Sequence, residues 1–116
     1  MQLDDLIAKA LNFRKERNWK QYHSARNIAL SVSLEAAELL EIFQWKTDAE
    51  AKELINEPDQ RENIADELSD ILLYIILMAN DLNIDLIEAA DKKIDKNAAK
   101  YPVDKVKGKA VKYTEL

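Results

Sequence analysis

Apolar residues recur at helical spacing in the first half of the chain. Positions three or four residues apart predict an amphipathic first helix that ends in a charged stretch near Arg17. The aromatic segment 18–24 interrupts this spacing and is predicted to be a loop. Ser24 can accept a backbone hydrogen bond as an N-cap, so the second helix is predicted over about 25–44.

Three further helices are predicted in the second half of the chain. Pro58 has no backbone N–H and restricts the residue before it, so residues 56–59 are predicted to form a turn. Tyr101 and Pro102 end the last helix, and the tail 101–116 is predicted to be irregular. The predicted helices cover about 48–55, capped by Thr47 or Asp48, then about 60–80, and finally about 86–100.

These elements predict an all-α fold class, with one domain over residues 1–116 that forms a four- to five-helix bundle. One segment does not suit a monomer. Residues 71–79 are apolar on every side of their helix, with Tyr74 the only exception. Because a helix that is apolar all round must be surrounded, a second subunit is predicted to pack there.

Composition and charge argue against several classes of function. A net charge of −5 and a pI of about 4.9 are unsuited to a general nucleic-acid-binding surface. The chain has no cysteine, which excludes a disulfide framework and a thiolate metal site. The longest apolar run is roughly half of a membrane span, and the N-terminus lacks the basic start of a signal peptide. We therefore expect a soluble, cytoplasmic protein that binds neither nucleic acid nor membranes.

Two predicted helices carry acidic residues three positions apart. Glu35 and Glu38 form one pair, and Glu67 and Asp70 form the other. Side chains at i and i+3 share a helical face, so two such helices packed antiparallel would bring four carboxylates together. On spacing alone, a solvated acidic surface remains an alternative.

The surroundings of these acids favour a bound cation. The side chains around Glu35 and Glu38 are almost all apolar, and no Arg or Lys occurs between Asn27 and Trp45. Carboxylates in such surroundings are costly unless something neutralises them. Oxygen ligands suit Mg²⁺, with Mn²⁺ as a possible substitute. Helical di-iron sites use Glu-x-x-His pairs, which the single histidine, His23, does not form.

At these residues the chain resembles the MazG-like, all-α nucleoside triphosphate pyrophosphohydrolases, and in particular their dCTP pyrophosphatase branch. A lone Glu-x-x-Glu motif has little specificity, but an ordered set of motifs at matching separations is specific. The similarity extends from about Phe13 to the end of the chain. The motifs are Tyr-His-Ser-Ala-Arg-Asn at 22–27, Glu-x-x-Glu at 35–38, Phe-Gln-Trp-Lys-Thr-Asp at 43–48, Glu-Leu-Ser-Asp-Ile-Leu-x-Tyr at 67–74 and Lys-Tyr-Thr-Glu-Leu at 112–116.

The resemblance implies hydrolysis between the α- and β-phosphates of a nucleoside triphosphate, which gives a nucleoside monophosphate and pyrophosphate. It implies a homodimer or homotetramer. It also implies that Glu35, Glu38, Glu67 and Asp70 hold Mg²⁺, and that Glu38 or Glu35 orients or deprotonates the attacking water.

Five residues are implied to contact the substrate. His23 would contact the nucleotide, Trp45 would stack on the base, and Tyr74 would reach the phosphates or a ligand carboxylate. Lys93 and Asn97 share a helical face and would meet the phosphates and the base or sugar. Core packing of Trp45 or Tyr74 remains an alternative. Trp19 could also stack on a base, but core packing is the favoured interpretation for it.

The leading functional hypothesis is a house-cleaning enzyme for dCTP or modified pyrimidine deoxynucleotides. The same chemistry with a preference for dATP, dUTP or many nucleoside triphosphates remains open. Ala98 and Ala99 stand where relatives usually carry arginines, which bears on this preference. From another class, a non-catalytic metal-binding helical oligomerisation module also remains open.

Overall fold

Every regular element of the computed structural model, which describes residues 1–116, is helical. The predicted all-α fold class is thus confirmed. The chain folds into two units, Met1–Leu82 and Asn83–Leu116, and the single domain stays a prediction. The helices are α1 (Leu3–Glu16), α2 (Ala25–Phe43), α3 (Asp48–Leu54), α4 (Pro58–Asp81), α5 (Leu86–Lys100) and α6 (Val103–Val106), with 3₁₀ turns at Lys20–Tyr22 and Tyr113–Glu115.

Side-chain caps define the starts of α2 and α3. The Ser24 hydroxyl accepts a hydrogen bond from the backbone N–H of Asn27 at 3.1 Å, as its predicted N-cap role requires. The Thr47 hydroxyl accepts from the backbone N–H of Glu50 at 3.2 Å, and the Glu50 carboxylate accepts from the backbone N–H of Thr47 at 3.0 Å. These bonds satisfy N–H groups that have no acceptor inside their helix.

Three predictions about the second half of the chain are wrong. The turn predicted over 56–59 ends before Pro58, which is already the first residue of α4, where its missing N–H would have no helical acceptor anyway. The tail is not irregular throughout, because the N–H groups of Val106 and Lys107 bond back to Pro102 and Val103 and form one helical turn. The α-helices therefore number six rather than four or five.

Helix α4 is the centre of the unit Met1–Leu82. Helix α2 packs along it, and α1 packs against it less extensively. Ile28 of α2 and Ile76 of α4 are fully buried, while Leu77 and Ala79 of α4 and Leu54 of α3 complete the core. Removal of these side chains from water drives the packing of the helices, and that packing brings the acidic pairs of α2 and α4 close together.

Helices α2 and α4 also leave many large apolar side chains exposed. In the segment predicted to meet a second subunit, Leu72 and Ile75 are exposed although Ile76 and Leu77 are buried. The other exposed apolar residues of the two helices include Leu30, Leu34, Leu40 and Leu68. No helix is both long enough and apolar enough to cross a membrane.

Candidate metal centre

Three carboxylates converge where α2 packs on α4. One oxygen atom from each of Glu35, Glu38 and Glu67 lies within 4.8 Å of the other two. Glu35 and Glu38 reach this place together because they are one helical turn apart on α2, and Glu67 reaches it from α4. Glu35 and Glu67 are half-buried, whereas Glu38 is exposed.

The pKa values of this cluster reflect burial and mutual repulsion. Burial, followed by the nearby Glu38 carboxyl, raises the pKa of Glu35 to about 7. The pKa of Glu67 is also raised, first by burial and then by Glu38. The negative charge of Asp70 contributes to both increases in pKa. Full ionisation of the cluster is therefore unfavourable unless a cation neutralises it.

The donor atoms of the cluster fit a hard divalent cation. The Oε2 atoms of Glu35 and Glu67 are buried and have no hydrogen-bond partner, a costly condition for a carboxylate. No Lys or Arg forms a salt bridge with any acid of the cluster. All of the candidate ligand atoms are carboxylate oxygens, which Mg²⁺ and Mn²⁺ prefer.

Asp70, the fourth predicted ligand, stands beside the group of three carboxylates. It is exposed on α4, one turn after Glu67, and is not among the acids that lie within 4.8 Å of one another. With Glu35 it lines the cavity next to the cluster. Its role as a metal ligand stays a prediction.

This cavity has a volume of about 480 Å³ and mostly apolar walls. A concave apolar site with a few polar groups is typical of small-molecule binding. Apolar and aromatic surface comes chiefly from Phe13, Trp19, Leu73, Tyr74 and Leu77. The polar groups on its wall include those of Arg14, His23, Glu35 and Asp70.

His23 and Tyr74, both predicted substrate contacts, lie together on this cavity. Their ring centroids are 6.2 Å apart, and the rings are inclined at 70°. Burial, and after it the charge of Arg14, lowers the pKa of His23, so the ring is neutral at pH 7. Its Nδ1 atom is buried without a hydrogen-bond partner. The ring therefore has one hydrogen-bonding atom that no protein group uses.

Two further residues of the cavity are not among the predicted site residues. Trp19 is not a core residue: it is 44 % exposed, and its ring packs edge-on against Phe13 with centroids 5.8 Å apart. Arg14 is not part of a solvated helix end: it is 4 % exposed and paired with Asp81 of α4. The one sequence signal for this burial is the position of Arg14 four residues after Ala10, on the apolar face of α1.

Three predicted substrate contacts lie outside this cavity. Trp45 follows α2 and is 85 % exposed, which excludes core packing within one chain. Lys93 and Asn97 are exposed on one face of α5, in the unit Asn83–Leu116. The substrate contacts of these three residues stay predictions.

Comparison with known proteins supports the resemblance seen in the motifs. The model of the MazG-like family matches residues 30–116. dCTP pyrophosphatase 1 of Rattus norvegicus is 40 % identical over 114 residues, which are 98 % of this chain and 67 % of the rat protein. The chain belongs to the MazG-like family.

Other relatives of this MazG-like chain agree in sequence and in fold. dCTP pyrophosphatase 1 of Homo sapiens is 39 % identical over 114 residues, with coverage of 98 % of this chain and 67 % of the human protein. The crystal structure of a pyrophosphatase from Archaeoglobus fulgidus has a TM-score of 0.81 and 37 % identity, and covers 86 % of this chain and 92 % of that one. The family predicted from the motifs is confirmed.

The raised pKa of Glu35 predicts how the stability of the metal-free protein depends on pH. The folded-state pKa of about 7 lies above the ordinary value of 4.5, so the protonated carboxyl stabilises the fold below about pH 4.5. This contribution is lost as the pH rises through about 7. In EDTA, Glu35→Gln should therefore melt with the wild type near pH 4.5 and several degrees above it near pH 8.

The control variant for this melting series is Glu53→Gln, which removes an exposed carboxylate of α3 outside the cluster. Its melting temperature should follow that of the wild type at every pH. If the melting temperatures of Glu35→Gln and the wild type differed by the same amount at every pH, the result would contradict a raised pKa of Glu35.

Proposed function

We propose that this MazG-like enzyme hydrolyses dCTP or modified pyrimidine deoxynucleoside triphosphates between the α- and β-phosphates. The products are a nucleoside monophosphate and pyrophosphate. The observation that carries the proposal is the convergence of Glu35, Glu38 and Glu67 beside a largely apolar cavity. A cation centre next to a site for a planar base is the arrangement that a nucleotide requires.

Glu35, Glu38, Glu67 and Asp70 would hold Mg²⁺, for which Mn²⁺ can substitute. When bound, the ion offsets the charge of the phosphates and lowers the pKa of a coordinated water. The orphaned oxygens of Glu35 and Glu67 support this assignment. Without a cation, the same acids would repel a polyphosphate.

Among these acids, Glu38 is the best candidate to orient or deprotonate the attacking water. It is exposed, whereas the second candidate, Glu35, is half-buried. A general base must reach solvent water and accept its proton, and an exposed carboxylate meets the first condition better.

The cavity is the proposed position of the base. Trp19 and Phe13 offer apolar surface to a planar ring, and His23 lies on the same wall. Preference for cytosine is supported by the names of the rat and human relatives. Ala98 and Ala99 lack the arginines expected from the resemblance, which leaves dATP, dUTP and other triphosphates as necessary comparisons.

Incubation with dCTP and Mg²⁺ should release dCMP and pyrophosphate, with little orthophosphate. Removal of Mg²⁺ by EDTA should abolish turnover, and Glu38→Gln should reduce kcat by a factor of about 100 or more, since it removes a charged ligand and the proposed base. Product analysis by ³¹P NMR on a panel of dCTP, dATP, dUTP and ribonucleotides identifies both the phosphate bond that is cleaved and the nucleotide that is preferred.

The control for the activity assay is Glu53→Gln, which should retain wild-type kcat. Early release of orthophosphate would contradict cleavage at the α–β bond. Metal-dependent melting without turnover of any triphosphate would favour a non-catalytic oligomerisation module.

We also propose that the chain forms a homodimer through α2 and α4. Support comes from the exposed apolar residues of these helices, among them Leu34 at 65 % and Leu68 at 52 % exposure. Exposed apolar side chains in such number are typical of association surfaces. The residues at this surface alternate with the acidic ligands along both helices, so dimerisation would stabilise the helices that hold the metal centre.

Leu30→Glu should shift the wild-type dimer towards monomer, because it places a charge in an apolar interface where desolvation is costly. Analytical ultracentrifugation should show a dissociation constant raised by a factor of about 10 or more. Ala8→Glu, on the exposed side of α1, is the matched control. A dimer that survives Leu30→Glu unchanged would place the interface elsewhere.

A further inference from the structure

Arg14 is the only charged residue that is buried in this chain. Its two terminal nitrogens donate to the two carboxylate oxygens of Asp81 at 2.8 and 2.7 Å. Every other side-chain hydrogen bond joins residues at most six positions apart, whereas this pair joins α1 to the end of α4. Two parallel bonds fix the plane of the guanidinium as well as its position.

The ion pair uses only part of the hydrogen-bonding capacity of Arg14. An arginine has five N–H groups, and Asp81 accepts from two of them. The other three have no acceptor in the protein, although Arg14 is 4 % exposed and lines the cavity. This part of the wall therefore has N–H groups free for an occupant that brings a hydrogen-bond acceptor.

The neighbouring charges indicate what kind of acceptor this is. Asp81 balances the positive charge of Arg14. On the rest of the cavity wall, Lys9 adds a positive charge, and Glu35 and Asp70 are acids already assigned to the proposed metal. Because Asp81 already pairs with Arg14, this guanidinium offers little net charge to a phosphate, whereas its free N–H groups can donate to a neutral carbonyl oxygen or ring nitrogen. With aromatic walls from Phe13 and Trp19, the geometry favours a neutral planar heterocycle.

We propose that Arg14 is a specificity-determining residue that donates to a carbonyl or ring-nitrogen acceptor on the nucleobase, and that Asp81 is the positioning residue that orients it. The proposal rests on the function proposed above. The backbone agrees with it: the carbonyl of Arg14 accepts a hydrogen bond from the N–H of Trp19 at 3.1 Å. The chain turns back through Asn18 at a φ of 54°. Arg14 thus supplies the guanidinium donor and, through its backbone carbonyl, also holds Trp19 in place.

The test compares the binding of dCMP with that of deoxyribose 5-phosphate, which has the same sugar and phosphate but no base. Isothermal titration calorimetry with Mg²⁺ present measures both affinities without any turnover. The variants are the apolar pair Arg14→Met with Asp81→Leu, which replaces a buried ion pair by similar volume, and Arg14→Lys, which keeps the charge and loses the planar fork. The pair Glu88→Gln with Lys92→Gln removes the exposed salt bridge of α5 as a control.

Both Arg14 variants should bind dCMP about 10- to 100-fold more weakly, the cost of a lost charged hydrogen bond. Their affinity for deoxyribose 5-phosphate should equal that of the wild type, and the control should bind both ligands normally. Wild-type affinity for dCMP in a folded Arg14 variant would overturn the proposal. Equal losses for both ligands would also overturn it, because they would show that the pair only maintains the fold.

The outcome is independent of the proposed reaction. If dCTP were not cleaved at the α–β bond, the proposed function would fail, while a base-dependent loss of dCMP affinity in the Arg14 variants would still stand. If the wild type bound dCMP no better than deoxyribose 5-phosphate, base recognition by Arg14 would be refuted, whatever the activity.

Discussion

The packing of α2 against α4 forces three carboxylates into one small volume, and the proposed chemistry depends on this constraint. Apolar burial around Ile28 and Ile76 holds the two helices together, while Glu35, Glu38 and Glu67 repel one another. No cationic side chain relieves that repulsion within the chain. A divalent cation would neutralise the cluster and use its carboxylates as ligands. The raised pKa of Glu35 in the metal-free protein is then explained as a property of a metal site.

One face of α4 organises the rest of the site. Glu67, Asp70, Tyr74, Leu77 and Asp81 follow one another at intervals of three or four residues and therefore lie along a single helical face. At 1.5 Å per residue this face extends over about 20 Å. It begins with acids that suit a cation, continues along the cavity, and ends at the acid that holds Arg14. A nucleotide with its phosphates at one end and its base at the other matches this order.

Much of this arrangement follows from local sequence patterns. Periodicity predicts α1, α2 and α4, and Ser24 marks a cap because its bond partner is three residues away. The i, i+3 acids could be assigned to common faces for the same reason. The family could be predicted from motifs that are short and ordered along the chain, and the match to the family model confirms it.

Features that depend on distant partners could not be predicted in this way. The sequence around Arg14 predicts a solvent-exposed charge, because its partner, Asp81, is 67 positions away and cannot be recognised from local spacing. For Trp19 the sequence favours core packing over base stacking, because nothing near it in the sequence indicates a cavity. Glu35, Glu38 and Glu67 meet within 4.8 Å while Asp70 stays outside that group, a difference that depends on the rotation of α4 against α2.

The most direct test of the proposed metal centre is the binding of Mn²⁺, followed by the loss of its free-ion EPR signal. Wild-type protein should bind Mn²⁺ saturably, and the double variant Glu35→Gln with Glu67→Gln should bind it more weakly by a factor of about 10 or more. Circular dichroism should show the same helical content for both proteins. Equal affinity of the folded double variant and the wild type for Mn²⁺ would contradict a metal centre at these carboxylates.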